Sequence, residues 1–179
     1  MHGLLRFNRS VGWLLVAWLC VVSTTAIAAD PPREFTLQAG FEGASKGVGT
    51  LRLIGRAPQQ FRVESTGTRR PDGTFHLAQT IAMQGEAPRR RSWTIRTLGG
   101  NRYAATLTDA AGPVSGSHAG RRLVLDYRIK GPLVMHQQLD LSEDGMTIDN
   151  IGTIRAFGIR VGRLEETITR TRAAHTPPP

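Results

Sequence analysis

The sequence predicts an all-β fold, an antiparallel up-and-down barrel of about eight to ten strands. From Glu34 onward the chain repeats one unit, a short run of alternating apolar and polar residues that a Gly, Pro, Asp or Asn turn closes. A period of two places alternate side chains on opposite faces of a strand. The turns recur roughly every 10 residues, as in sandwiches and barrels. A barrel is favoured because a meander of hairpins that closes on itself removes its own edges.

An export signal is predicted before this domain, over residues 1–28. Basic residues precede an apolar run at 11–22, no acid occurs before Asp30, and an Ala-x-Ala cleavage site ends at Ala28. The alternative is a retained membrane anchor, but a run of about a dozen residues is shorter than the roughly 20 that span a bilayer. We therefore expect cleavage and a periplasmic location.

The cysteine of this sequence raises the alternative of a lipoprotein. Cys20 is the one cysteine of the chain and lies inside the predicted signal. Lipoprotein signals need a small residue just before the lipidated cysteine, and here Leu19 occupies that position, so lipid anchoring is disfavoured. After cleavage the domain would have no thiol, and it could form neither a disulfide nor a cysteine metal site.

The rest of the chain divides into an extended linker at 29–33, a barrel domain at 34–172 and a disordered tail at 173–179. About 150 residues after the signal suit a single domain with one core. The prolines of the linker and of the tail are typical of extended, disordered ends.

Alternating runs predict the strands in chain order. They hold Phe35, Leu37, Ala39 and Phe41; Phe61, Val63 and Ser65; Phe75, Leu77, Gln79, Ile81 and Met83; Trp93, Ile95 and Thr97; Tyr103, Ala105 and Leu107; Leu123, Leu125, Tyr127 and Ile129; and Leu133, Met135, Gln137, Leu139 and Leu141. The glycine-rich stretch GASKGVGT is predicted to form the first hairpin loop. Residues 161–171 are compatible with a short helical turn.

The chain is strongly basic, with 23 Lys and Arg against 14 Asp and Glu. A basic surface suggests anionic partners such as phospholipid headgroups, lipid carboxylates or nucleic acid. Nucleic acid is disfavoured because the protein is predicted to be exported and because Trp93 is the one tryptophan left after the signal for base stacking. The alternative is that the arginines serve solubility and block edge pairing.

Several segments together resemble a bacterial family of exported proteins. They are PPREFTLQAGFEG (31–43), GVGTLRL (47–53), RRRSWTIRTLGGNRYAATLTDAAGPVSGSHAGRRLVLDYRI in the middle, and EDGMTIDNIGTIRAFGIRVGRLEETI near the end. The chain resembles the domain-of-unknown-function family numbered 3833. This resemblance implies a lipocalin or calycin-like barrel and no known activity, and it favours a lipid ligand. Relatives are commonly lipoproteins with a more hydrophobic closing strand, and this chain departs from both patterns.

Catalytic and metal chemistry is not indicated by the residue spacing. The histidines after the signal, His76, His118, His136 and His175, have no spacing that would put a metal pair on one element. Ser117 and His118 lie near each other but would point to opposite faces of a strand. We therefore predict no metal site, no cofactor and no catalytic residue.

Polar residues that interrupt apolar alternations predict a ligand pocket inside the barrel. Gln79, Asp109 and Gln137 share faces with apolar neighbours, so each would need a hydrogen-bond partner or a ligand headgroup if that face points inward. The alternative is that they lie at strand ends or satisfy one another. The predicted pocket lining is Phe75, Leu77, Gln79, Trp93, Tyr103, Leu107, Asp109, Leu125, Tyr127 and Gln137.

Three functions follow from these observations. The leading hypothesis is a non-catalytic periplasmic barrel that binds a lipid-like, apolar and acidic ligand. The second is an accessory protein whose arginine-rich surface docks on an envelope enzyme or an anionic membrane. The third is a small isomerase or hydrolase that uses Asp109 and a histidine as general acid and base. The oligomeric state is not predicted.

Overall fold

The computed structural model describes residues 34–171, and over this range it is a closed barrel of ten antiparallel strands with one short helix. The predicted fold class is confirmed. The predicted signal, linker and tail lie outside the described residues. The elements are α1 (Leu37–Phe41), β1 (Gly43–Leu53), β2 (Gln59–Arg69), β3 (Phe75–Met83), β4 (Arg89–Thr97), β5 (Arg102–Leu107), β6 (Val114–Ala119), β7 (Arg122–Arg128), β8 (Leu133–Leu141), β9 (Thr147–Ala156) and β10 (Ile159–Arg170).

Each strand pairs with its neighbours in sequence, and β1 pairs with β10 to close the barrel. The connecting loops therefore alternate between two ends. The α1 end holds the helix and the loops at 70–74, 98–101, 120–121 and 142–146. The Phe157 end holds the loops at 54–58, 84–88, 108–113, 129–132 and 157–158.

The first predicted strand is wrong, because residues 37–41 form helix α1. Thr36 is extended, and its hydroxyl oxygen accepts a 2.9 Å hydrogen bond from the backbone N–H of Ala39, which caps the helix. Leu37 and Phe41 lie one turn apart, so the spacing that suggested one face of a strand also suits one face of a helix. Both are buried, and α1 closes one end of the barrel.

The glycine-rich stretch 43–50 is strand β1 and not the predicted hairpin loop. A β-carbon at Gly47 would overlap the carboxylate of Glu166, and one at Gly49 would stand 2.5 Å from the Phe61 ring. These glycines are needed because neighbouring groups occupy the space in front of them, the Glu166 side chain at Gly47 and both the Glu165 carbonyl oxygen and the Phe61 ring at Gly49. Glycine here marks close packing inside a strand.

The closing segment 159–170 is strand β10, so the helical turn considered for residues 161–171 is not formed. It is bonded on both sides, to β9 and to β1, with an irregularity between Arg160 and Gly162. Leu164, Glu166 and Ile168 alternate on the inner side of the barrel. The pairing with two neighbours decides this conformation against the local propensity.

The interior packs into two apolar clusters. The larger one runs from α1 through the middle of the barrel and includes Phe35, Phe75, Trp93 and Ile148. The smaller one, made of Phe61, Val63 and Ile81, lies towards the Phe157 end. Within the described part of the chain, no helix has the length and apolar character to cross a membrane.

Candidate ligand cavity inside the barrel

A small cavity lies in the barrel beneath α1. Its volume is about 40 Å³, and Leu37 and Phe41 of the helix contribute to its wall. Six of the predicted pocket residues line it: Leu77, Gln79, Trp93, Tyr103, Leu125 and Gln137. The sequence therefore predicted correctly which face of β3, β4, β5, β7 and β8 points into the barrel.

Four predicted pocket residues lie elsewhere. Phe75, Leu107 and Tyr127 are buried in the surrounding core but do not line the cavity. Asp109 does not line the cavity and follows the end of β5 at Leu107, where the chain turns. In that turn the Asp109 carboxylate forms a 2.5 Å ion pair with Arg89.

Gln79 is the centre of a first polar group. Its Oε1 accepts hydrogen bonds of 2.8 Å from the indole N–H of Trp93 and from Nε of Arg91. Its Nε2 donates to the hydroxyl of Ser65 at 3.0 Å. The amide is thereby fixed in one orientation, which is how a buried polar side chain avoids an unpaired donor or acceptor.

Arg91 belongs to this group, although the arginines of the chain were expected to form a basic outer surface. It lies opposite Gln79 in the pairing of β3 with β4 and lines the cavity. Its guanidinium carbon stands 5.6 Å from the centre of the Trp93 ring, a cation–π contact. The spacing in the sequence predicts this inward position, since Arg91, Trp93 and Ile95 alternate on one face of β4.

A second polar group is a hydrogen-bond chain from Tyr127 to Glu166. The Tyr127 hydroxyl donates to Gln137 Oε1 at 3.0 Å, and Gln137 Nε2 donates to Asn150 Oδ1 at 3.3 Å. Asn150 Nδ2 then donates to Glu166 Oε2 at 2.9 Å. Burial raises the pKa of Tyr127 to about 12, so its phenol keeps the proton that begins the chain.

Glu166 ends the chain as a buried carboxyl group, with 8% of its surface exposed. Burial raises its pKa, while the hydrogen bond from Asn150 and the charge of Arg91 act in the opposite direction. Across residues 34–171, no Lys or Arg stands within 4.0 Å of this carboxylate. Glu166 and Asn150 are not among the residues predicted from the sequence, although Glu166 is in phase with Leu164 and Ile168.

His118 and His136 have hydrogen-bond partners other than Asp109. His118 Nδ1 is 2.9 Å from the Tyr103 hydroxyl, and His136 Nδ1 is 2.7 Å from Asp126 Oδ1 on the outer surface. Over residues 34–171, Asp109 pairs with Arg89 and no histidine is bonded to it, while His175 lies outside the described residues. In the region that the structure describes, no cluster of three His, Cys, Asp or Glu side chains could hold a metal ion.

The cavity thus combines apolar walls with two fixed polar groups. Over the described residues, neither the terminal nitrogens of Arg91 nor Oε1 of Glu166 has a hydrogen-bond partner within the protein. A volume of about 40 Å³ suits a water-sized guest, whereas sites for small organic ligands usually measure roughly 300–1,000 Å³.

Comparison with solved structures supports the fold. The barrel is similar to the S-type phycobiliprotein lyase CPES from Guillardia theta, with a TM-score of 0.58 and 8% identity over 74% of this chain and 89% of that chain. It is also similar to a protein of unknown function from the DUF3598 family of Nostoc punctiforme, with a TM-score of 0.56 and 14% identity over 80% of this chain and 53% of that chain. At these identities the likeness concerns the lipocalin-like fold alone.

No curated protein matches the chain. The model of the family described as "Protein of unknown function (DUF3833)" matches residues 14–170. That match covers most of the chain and agrees with the family resemblance of its opening, central and closing segments. The chain belongs to the DUF3833 family.

Proposed function

We propose that this protein is a non-catalytic periplasmic barrel that binds an amphiphilic, lipid-like acid. The observation that carries the proposal is the cavity itself, in which apolar walls meet an arginine and a buried carboxyl group. Ligand sites of small barrels have this composition, with a few oriented polar groups in an apolar wall.

The polar groups favour an acidic head. Arg91 has no carboxylate within 4.0 Å among residues 34–171, so its charge is free to pair with a ligand carboxylate. The pKa of Glu166 is raised, and the neutral Glu166 carboxyl group can donate a hydrogen bond to the same head. A head held by both would sit against the ordered amides of Gln137 and Asn150.

The apolar tail of such a ligand needs more room than the cavity has. Helix α1 is the element whose displacement would supply it, because Leu37 and Phe41 form part of the cavity wall. A helix of five residues has little stability of its own. It is held by tertiary contacts, such as the bond from Arg170 Nη1 to the Ala39 carbonyl oxygen at 2.9 Å.

The test is titration of the purified processed protein with fatty acids of increasing length, followed by Trp93 fluorescence and by calorimetry. We expect saturable binding, and we expect Arg91→Gln to weaken the acids at least tenfold while changing fatty alcohols little. Arg102→Gln, an exposed arginine at the α1 end, is the matched control. Absence of binding, together with absence of acyl material in an organic extract, would overturn the proposal.

The small cavity volume favours a second candidate, an accessory protein with a filled interior. It would dock through its arginine-rich exterior on an envelope enzyme or on an anionic membrane. Docking that is lost at high salt but unaffected by Arg91→Gln, in a protein that binds no fatty acid, would favour this candidate over the first.

A further inference from the structure

The Phe157 end of the barrel carries exposed apolar side chains that packing does not explain. Phe157 is 87% exposed, Ile54 73% and Ile159 68%. The loop that holds Ile54 lies beside the start of β10, since the Ile54 N–H donates to the Val161 carbonyl oxygen at 2.9 Å. We call Ile54, Phe157 and Ile159 the Phe157 tip.

Phe157 is also in an unfavourable backbone conformation. It has φ 50° and precedes Gly158 with φ 82°, and these two residues form the tight turn between β9 and β10. Such a turn prefers Asn or Gly, because a bulky side chain at positive φ is strained. An exposed phenylalanine gains nothing from the core in return. Neither the turn nor the core accounts for a phenylalanine at this position, which indicates that the side chain contacts something outside the molecule.

Cations surround the tip. Arg155 and Arg160 lie directly opposite each other in the pairing of β9 with β10, an arrangement that destabilises a hairpin when the charges are not neutralised. Neither has an acidic partner within 4.0 Å among the described residues. Arg56 and Lys130 lie in loops of the same end.

Acidic residues are scarce at this end. Over its loops in the described chain, the acids are Glu86 and Asp109, and Asp109 is already paired with Arg89. The α1 end is different, since its loops and entry segment hold four acids, Glu34, Asp72, Glu143 and Asp144, against two bases, Arg70 and Arg121. With Arg155 and Arg160 counted, the Phe157 end has more bases than acids, whereas the loops and entry segment of the α1 end have more acids than bases.

We propose that the Phe157 end docks on a membrane surface rich in anionic phospholipid. The tip side chains enter the boundary between headgroups and acyl chains, while Arg155 and Arg160 bind lipid phosphates and so relieve their mutual repulsion. Exposed apolar side chains beside arginines without acidic partners are the combination that binds an anionic lipid surface. The inference specifies the membrane form of the second candidate and does not depend on a ligand in the cavity.

The experiment is co-sedimentation of the purified protein with vesicles of phosphatidylcholine, with and without one quarter phosphatidylglycerol. We expect binding to the anionic vesicles that falls in 0.5 M NaCl. Phe157→Asn should weaken the partition coefficient roughly tenfold or more. Replacement of Arg155 or Arg160 by Gln should weaken it roughly fivefold each.

Matched controls separate the tip from the rest of the surface. Leu98→Ser removes an exposed apolar side chain at the α1 end, and Arg102→Gln removes an arginine there; both should bind like the parent protein. Arg91→Gln should also bind vesicles normally, which distinguishes docking from occupancy of the cavity. Phe157→Asn should fold, because asparagine accepts the positive φ of that turn.

Three results would overturn the docking proposal. One is absence of binding to anionic vesicles at low salt, and another is equal binding by Phe157→Asn and the parent protein. The third is that the protein binds a protein partner through the Phe157 tip and does not bind vesicles.

Discussion

The backbone of Gly47 lies against the carboxylate of Glu166, and a β-carbon on Gly47 would overlap Glu166 Oε1. The strand that closes the barrel thus carries its buried acid directly in front of a glycine on the neighbouring strand. The hydrogen bond from Asn150 holds the other carboxylate oxygen at 2.9 Å, so the side chain has little freedom to move aside.

Replacement of Gly47 by alanine should destabilise the barrel. The added methyl group must displace Glu166 or separate β1 from β10, and overpacking of this kind costs about 1–3 kcal/mol. Urea unfolding followed by circular dichroism measures the free energy of unfolding. In the double variant Gly47→Ala with Glu166→Ala the alanine should cost much less, and equal costs in the two backgrounds would show that Glu166 is not the obstacle.

Glu166→Gln should raise stability in a pH-dependent manner. A carboxyl group whose pKa is higher in the folded than in the unfolded protein binds more protons when folded, so stability falls as pH rises from its ordinary value of 4.5 to the raised folded value. Glutamine removes that loss. The difference in Tm between the variant and the parent should therefore grow over this range and level off above it, and a difference independent of pH would contradict the buried, uncompensated acid.

Gln79→Ala should cost more than a surface glutamine replacement. It leaves the Trp93 indole N–H, Nε of Arg91 and the Ser65 hydroxyl without their shared partner. Each buried group left unsatisfied costs about 1–3 kcal/mol. Gln84→Ala, in an exposed loop, is the control and should be nearly neutral. Thermal unfolding of both variants measures the difference, and similar Tm values would refute a structural role for the Gln79 amide.

Phe41→Leu should test the role of α1 as the closure of the cavity. The smaller side chain leaves more space beneath the helix and weakens its packing, which is also supported by the ring contact of Phe41 with Phe35 at 5.8 Å. We expect a lower Tm and tighter binding of the longer fatty acids in calorimetry. If affinity falls for all chain lengths alike, α1 is not the element that limits the space.

The alternation of the strands was readable because each strand buries one face. Leu77, Trp93 and Leu125 were assigned to the interior from a period of two, and the cavity confirms their direction. The same rule failed where the chain left regular structure. Asp109 follows the alternation of β5 in sequence, but the strand ends at Leu107, and in the following turn the Asp109 carboxylate pairs with Arg89 and does not line the cavity.

Other errors had one cause, which is that local preference was overruled by tertiary contacts. The glycines of β1 suggested a loop, because glycine weakens an isolated strand. In the barrel they make room for Glu166 and Phe61. Arg91 was expected on the surface with the other arginines, because charged side chains are rarely buried. Its position opposite Gln79, with the Trp93 ring beside it, makes burial of the side-chain stem tolerable.

The sequence by itself determined the all-β class, the order of the hairpins and most inward-facing apolar residues, because side-chain period and turn chemistry are local properties of the chain. The export signal and the periplasmic location stay predictions from the same source. The tertiary structure alone decided which polar residues meet inside the barrel. Gln137, Asn150 and Glu166 lie on three different strands, and the register of those strands, set by barrel closure, brings their side chains within hydrogen-bond distance.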